Sequence, residues 1–258
     1  MNEKQYVKQF FSKNKQAYVT SSTHANGSDL SVLVDWLQPN KDMIALDIAT
    51  GGGHVARKLA PNVNRLFATD ITKEMLEYTS THLQLYSNIN YIIADAESLP
   101  FLDNTFDIIT CRIAAHHFPN PDRFIQEVQR VLKSNGRFLL IDNVGLEEPS
   151  IDIFINSLEK MRDYSHSRSL KITEWEKLFS SNHLIVLKQE RRKKTLPYNE
   201  WVHRALDNKS KIEEVKQYIL AANTKIKDYF QIKAEHEEIK EFTIDEWMVL
   251  CQKLSVQS

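Results

Sequence analysis

A chain of 258 residues, 42% hydrophobic and 26% charged, has the composition of an ordinary globular protein, long enough for one large α/β domain or a core with a smaller appended unit. Its 33 basic and 34 acidic residues leave a formal net charge of -1, which supplies no field for drawing nucleic acid or an anionic membrane and argues against a bulk nucleic-acid binder. Cys111 and Cys251, the only cysteines, sit in apolar surroundings; with no signal-like apolar run after Met1 and no window of membrane-spanning length, a reduced, cytoplasmic protein without stable membrane insertion is expected.

Residues 3–20 mix Lys4, Lys8, Lys13 and Lys15 with Tyr6, Val7, Phe10, Phe11 and Tyr18, the pattern of one or two short amphipathic helices. Such a helix packs on the domain, covers a ligand as a lid, or lies on a membrane surface; packing is the default, and a lid is compatible with it. The polar stretch Thr20 to Ser28 is a loop, after which Ser28 or Asp29 caps a helix carrying Leu30, Leu33, Val34 and Leu37 that Pro39-Asn40 ends. From 43 to 142 short apolar runs alternate with helical segments. The runs are Ala45 to Ile48, Leu66 to Thr69, Tyr91 to Ala94, Phe106 to Cys111 and Phe138 to Ile141, and Asp47, Asp70, Asp95, Arg112 and Asp142 fall at or near their ends. Near-continuous apolar strands between helices imply a parallel sheet covered on both faces, which binds ligands at its carboxyl edge.

Beyond 145 the pattern changes. Ile151, Phe154, Ile155, Leu158 and Met161 form a helical stripe running into Arg162 to Arg168, a polar segment expected over the mouth of the site. Thr173 to Glu176 reads as a capping box opening a short helix. Leu184 to Leu187 is a sixth strand, followed by a basic run, Lys188 to Lys194, that reads as a solvated face. Ile212, Val215, Ile219, Ala222 and Ile226 mark a helical insertion, and Trp247 to Cys251 the last strand.

The chemistry centres on Gly51-Gly52-Gly53, which follows the first strand and opens a helix. Such a loop lets a ligand approach the main chain, and the free N–H groups of the helix start favour electron-rich atoms. Gly51, Gly53 and Ala56 fit the dinucleotide spacing G-x-G-x-x-G/A, with Asp70 nineteen residues after Gly51. That fingerprint uses one acidic residue, however, whereas Asp47, Asp70 and Asp95 end three strands. Three carboxylates suit a ligand with an ammonium group, a ribose diol and a base amine, which describes an adenosyl amino acid.

The segments Leu46-Asp47-Ile48-Ala49-Thr50-Gly51-Gly52-Gly53, Thr69 to Leu76, Ala94 to Phe101, Phe106 to Ile109 and Arg130 to Phe138 together resemble the class I S-adenosylmethionine-dependent methyltransferases, small-molecule type, near the ubiquinone and menaquinone C-methyltransferases. Ala49 stands where that family usually has glycine. The resemblance implies a doubly wound, Rossmann-like α/β sheet of seven mostly parallel strands with the last antiparallel. Residues 1–40 would form a helical cap and 41–145 the cofactor-binding core. Residues 146–258 would add lid helices, a helical insertion and the last two strands.

It also implies the site. Asp47 and the main chain of Ala49, Thr50 and Gly51 would hold the methionine moiety, and Asp70 the ribose. Ile71 and Met75 would line the adenine, Asp95 accept from its amine, Ala96 donate to a ring nitrogen, and Arg112 with Ile113 lie beneath the sulfonium. A base is needed only for a protonated acceptor. His116 and His117 are the candidates, then Tyr18 and His166, while Arg162 and Arg168 suit a substrate carboxylate or phosphate. No metal is expected, since the nine histidines show no ligand spacing. The expected function is methyl transfer from S-adenosylmethionine to a small molecule. The rivals are a cofactor-binding protein without catalysis and a nicotinamide-dependent oxidoreductase.

Overall fold

The computed structural model describes residues 3–19 and 29–255, without the side chains of 14–19; the expected loop at 20–28 and the side chain of Tyr18 lie outside the described residues. The N-terminal stretch is one helix, α1 (Glu3–Val19), and α2 (Asp29–Leu37) follows. Strand and helix then alternate: β1 (Ile44–Ile48), α3 (His54–Leu59), β2 (Arg65–Asp70), α4 (Lys73–His82), β3 (Ile89–Ile93), β4 (Phe106–Arg112), α5 (Pro121–Val131) and β5 (Leu132–Asn143). Helix α5 shows how local sequence sets these boundaries. Asn120 accepts the Arg123 N–H at 3.2 Å, Pro121 occupies the first turn, and Phe124, Ile125, Val128 and Val131 are buried at helical spacing.

The second half comprises α6 (Pro149–Arg162), α7 (Ile172–Ser181), β6 (Leu184–Pro197), α8 (Tyr198–His203), α9 (Lys209–Leu220), α10 (Thr224–Tyr229), β7 (Lys233–Glu235) and β8 (Glu238–Lys253). The sheet order is β3-β2-β1-β4-β5-β8-β6, with three-residue β7 paired to β8 off this path. Pairing is parallel from β3 to β5, while β8 runs antiparallel to both β5 and β6. The fold is thus the doubly wound, mostly parallel α/β sheet expected, with its last main strand reversed.

Because strand side chains alternate faces, Ile109 and Phe138 pack with Phe124, Phe179 and Trp247 on one side. Ile108 and Leu139 pack with Leu33, Leu37, Ala56 and Leu59 on the other. A third apolar cluster joins Phe154, Trp201, Val202, Val215, Ile219 and Phe242, so the added helices share a core with the outer half of β8.

Three local expectations change. Strands β6 and β8 are far longer than the short apolar runs suggested, pairing from Leu184 opposite Lys253 to Pro197 opposite Glu241. The basic run is part of this strand and is largely exposed, as a solvated face would be, with its cations paired across to β8: Arg191 and Lys193 reach Asp245 at 2.8 and 2.9 Å, and Arg192 and Lys194 reach Glu246. Strand β5 begins at Leu132, ahead of the run Phe138 to Ile141, through an irregularity in which Asn135 has φ 62 and the register shifts against β4. Helix α7 starts at Ile172, before Thr173, because the Lys171 N–H is satisfied by Glu174 at 2.9 Å.

The glycine loop is clamped between β1 and α4. Gly53 has φ 74, and a methyl group built on it would lie 2.5 Å from Thr79 Cγ2 and 2.8 Å from Leu83 Cδ1. Gly53→Ala is expected to destabilise the chain by about 1–3 kcal/mol, through left-handed backbone strain and overpacking, read as a lower urea midpoint at unchanged slope.

Candidate active site

A solvent-open cleft spanning about 1040 Å³, its open space included, runs along the carboxyl ends of β1, β2, β3 and β4. Asp47, Ala49, Thr50 and Gly51 line it from the end of β1, Asp70, Ile71 and Met75 from β2 and α4, Asp95 and Ala96 from beyond β3, and Arg112 and Ile113 from β4. All residues expected to hold a cofactor are therefore brought together. Lys4, Val7 and Phe11 of α1 form a further wall, which the sequence pattern pointed to only as a helix compatible with a lid.

The loop is pinned from behind. The Thr50 N–H donates to the Thr69 carbonyl at 2.8 Å, the Gly53 N–H to the Thr50 carbonyl at 2.9 Å, and the Thr79 hydroxyl to the Gly51 carbonyl at 2.5 Å. Ala49 and Ile113 both have φ 52, a left-handed conformation costly for any residue with a Cβ and most of all for a β-branched one. The Ala49 value explains why glycine suits that position. Strain gathers where the β1 and β4 ends face the cleft.

Each carboxylate has its own surroundings. Asp47 is buried and accepts from the hydroxyls of Thr50 at 2.6 Å and Thr110 at 2.8 Å; burial pushes its carboxyl up to about 6. Asp70 accepts from the N–H groups of Gly51 at 3.1 Å and Thr72 at 2.9 Å, and burial again pushes it upward. Asp95 takes the Lys4 ammonium at 2.6 Å, and Lys4 also reaches Glu97 at 2.5 Å. The Arg112 guanidinium, on the cleft wall, is held by Asp29, whose carboxylate also meets Arg192 at 3.2 Å. Asp29 thus ties α2 to the site rather than merely opening its helix.

The two histidines after β4 have different roles. Between β4 and α5 the chain makes a 3₁₀ turn over Ala115–His117. His117 lines the cleft and His116 does not. His116 Nδ1 lies 2.6 Å from Asp142; burial opposes its charge, but the Asp142 carboxylate outweighs burial and the net direction is upward. His117 is pulled down to about 4 by burial and then by His116, so it is neutral near neutral pH. Its Nδ1 lies 3.1 Å from the Ser165 carbonyl. A carbonyl can only accept, so Nδ1 carries the proton and Nε2 keeps the lone pair.

The arrangement fits a nucleoside-bearing amino acid: a loop open to close approach, an apolar flank at Ile71 and Met75, and three carboxylates at successive strand ends. A family model described as a methyltransferase domain matches residues 46–140. YcgJ of Bacillus subtilis, an uncharacterised methyltransferase, is 38% identical over 226 residues, covering 86% of this chain and 88% of its own. The chain belongs to the class I S-adenosylmethionine-dependent methyltransferases. A methyltransferase of Bacillus halodurans, known from its crystal structure, superimposes with a TM-score of 0.86 at 35% identity, over 89% of this chain and all of that one. The UbiE C-methyltransferase of Rickettsia typhi is 36% identical over 119 residues, 43% of this chain and 48% of its own.

Of the residues considered for substrate, this methyltransferase keeps none on the cleft wall with a described side chain. Arg168 pairs with Glu174 at 2.9 Å and lies outside the mouth that its segment was expected to cover. His166 is buried 3.2 Å from Asn156 Oδ1, its ring 5.5 Å from that of His116. Arg162 is buried against Glu159 at 2.8 Å and stacks 4.9 Å from the Trp201 ring. The segment 163–168 reaches the histidines because the N–H groups of Ser167 and Arg168 donate to the His116 carbonyl. Among the described residues no three His, Cys, Asp or Glu gather as a metal site, and no helix is long and apolar enough to cross a membrane.

Proposed function

We propose that the methyl acceptor is a small molecule, taken up beneath α1, against which Tyr164 packs from behind. The observation that carries this reading is the roof over the cleft. Lys4 spans to Asp95 and Glu97, Phe10 is buried with its ring 5.3 Å from that of Tyr164, and the Phe11 ring stands edge-on to His117 at 5.1 Å. A macromolecular acceptor needs an open approach, and a nucleic acid also needs a basic one. The balanced overall charge argues in the same direction. The buried, free thiols of Cys111 and Cys251 fit a reducing, cytoplasmic setting.

S-adenosylmethionine supplies a methyl group already activated on a sulfonium, so the protein's share of catalysis is positioning and water exclusion. Asp47 holds the ammonium of the methionine moiety, with the main chain of Ala49 to Gly51. Asp70 accepts from the ribose hydroxyls, Asp95 from the adenine amine, and Ile71 and Met75 flank the base. Arg112 and Ile113 close the floor at the reacting end. His117 takes the acceptor's proton on Nε2, while Asp142 and His116 hold the turn that carries it.

Incubation with methyl-labelled S-adenosylmethionine and a panel of small alcohols, amines and thiols is expected to label a small molecule. Label entering only tRNA or protein would overturn the reading. Separately, S-adenosylhomocysteine and not NAD is expected to raise the melting temperature.

A pH dependence follows from Asp47. Its carboxyl takes up a proton as the pH falls through about 6, and the protonated form has no charge for an ammonium. Affinity for S-adenosylhomocysteine is therefore expected to be flat above about pH 7 and to weaken below it. Calorimetry on Asp47→Asn should give weaker binding with that limb removed; a limb unchanged in the variant would assign it elsewhere.

A further inference from the structure

Behind His117 a second pocket, open to solvent and spanning about 480 Å³ with that open space included, lies between β5, β6 and α8. Ile113 and His117 belong to the walls of both pockets, so the chamber adjoins the cleft across the strained end of β4 and the candidate base. Its other walls are of a different chemistry from the apolar cleft. Arg162, Lys194 and Arg204 bring three permanent cations, against the single carboxylate of Glu159. Glu159 is engaged by Arg162, and Lys194 rests on Glu246 outside the wall at 2.9 Å.

The placement of Arg162 is that of a preset donor. Its guanidinium is fixed between the Glu159 carboxylate and the Trp201 ring, which holds the planar fork without leaving it to solvent. Arg204 faces the same space from the end of α8. Arg162 is buried and Lys194 and Arg204 are half-buried, so an anion entering the half-enclosed space meets three cations that solvent screens only in part.

We propose that this chamber is the acceptor's anion subsite: it takes the carboxylate or phosphate of a small acceptor whose nucleophilic atom reaches past His117 into the cleft. This inference rests on the small-molecule reading above and deepens it by naming the substrate class. Arg162 and Arg204 grip the anion by charge-assisted hydrogen bonds, Lys194 adds a point charge, and the fixed distance to His117 selects acceptors by length.

The test pairs acceptors that differ only in the anion: an amine or alcohol with and without a carboxylate, and with and without a phosphate. Anionic members are expected to be methylated and their neutral partners not, and the preferred arm tells carboxylate from phosphate. Arg204→Gln should raise KM for the anionic acceptor about 30-fold with kcat little changed, and with S-adenosylhomocysteine affinity as in the wild type, which verifies the fold. A second readout needs no turnover. Inorganic phosphate or acetate, titrated into the S-adenosylhomocysteine-saturated protein, should raise its melting temperature along a saturating curve, absent in Arg204→Gln and absent with chloride at equal ionic strength. Methylation of the neutral partners, or no saturable response to either anion, overturns the subsite while leaving the small-molecule reading intact. Label found only in macromolecules overturns both.

Discussion

Asp70→Ala is expected to weaken S-adenosylhomocysteine binding by about two to three orders of magnitude while the chain stays folded. Asp70 is only 8% exposed, at the end of β2 on the cleft wall. Each hydrogen bond from a ribose hydroxyl to a charged oxygen is worth about 1.5–3 kcal/mol, and two in the lower part of that range give about 3–4. At about 1.4 kcal/mol per decade this is the stated loss. The fold is not equally dependent on Asp70. Burial already disfavours its ionised form, and its removal empties no apolar volume. Of the N–H groups that it accepts from, that of Gly51 lies on the cleft wall within reach of water, while that of Thr72 is buried, so its lost partner costs about 1–3 kcal/mol, less than the whole stability of a chain this size. Asp70→Asn, which keeps the shape and one acceptor oxygen but loses the charge, should fall between wild type and alanine. Calorimetry with S-adenosylhomocysteine and a urea titration on the same samples check both halves. Unchanged affinity would sink the role given to Asp70.

That carboxylate was visible in the sequence for a physical reason. In a parallel sheet covered on both faces each strand is a continuous apolar run, so the first polar residue at its carboxyl end stands out. Asp47, Asp70 and Asp95 are such residues, and the fold brings them around one cleft. The walls opposite them were not visible. Lys4 meets Asp95 across 91 positions, and Phe11 reaches His117 only because α1 lies over the sheet edge. Period and composition describe an element's faces and not its neighbours. Arg204 and Trp201 carried no signal beyond a helix in an insertion, although the chamber depends on them. The long β6–β8 pairing was hidden for another reason. Charges on consecutive residues from Glu190 to Lys194 mask the alternation that marks a strand, and the acids that neutralise Arg191 to Lys194 lie 52 to 54 positions downstream.

The carboxylate of Glu246, set in that pairing, leads to the second large effect. Glu246→Ala is expected to destabilise the chain by about 2–4 kcal/mol. The Glu246 side chain is fully buried, at 0%, while its partners Arg192 and Lys194 are 24% and 19% exposed. Removing one member of a buried ion pair costs about 3–5 kcal/mol, because the charge left behind is no longer compensated. The partial exposure of the two cations lets water recover some of this, which sets the lower range. The loss spreads beyond the pair. Arg192 also meets Asp29, and Asp29 holds the Arg112 guanidinium on the cleft wall, so freeing Arg192 redistributes charge toward the site. Glu246→Gln keeps the shape and one oxygen acceptor for Arg192 while removing the charge, and should lose less than alanine. Asp207→Ala serves as the comparison. It breaks the Lys13 pair, whose members are 66% and 80% exposed, and is expected to be indistinguishable from wild type, since solvent screens such pairs. Urea midpoints at constant slope measure all three. Equal midpoints for Glu246→Ala and Asp207→Ala would mean that the basic strand is held by backbone pairing alone, with Glu246 contributing nothing.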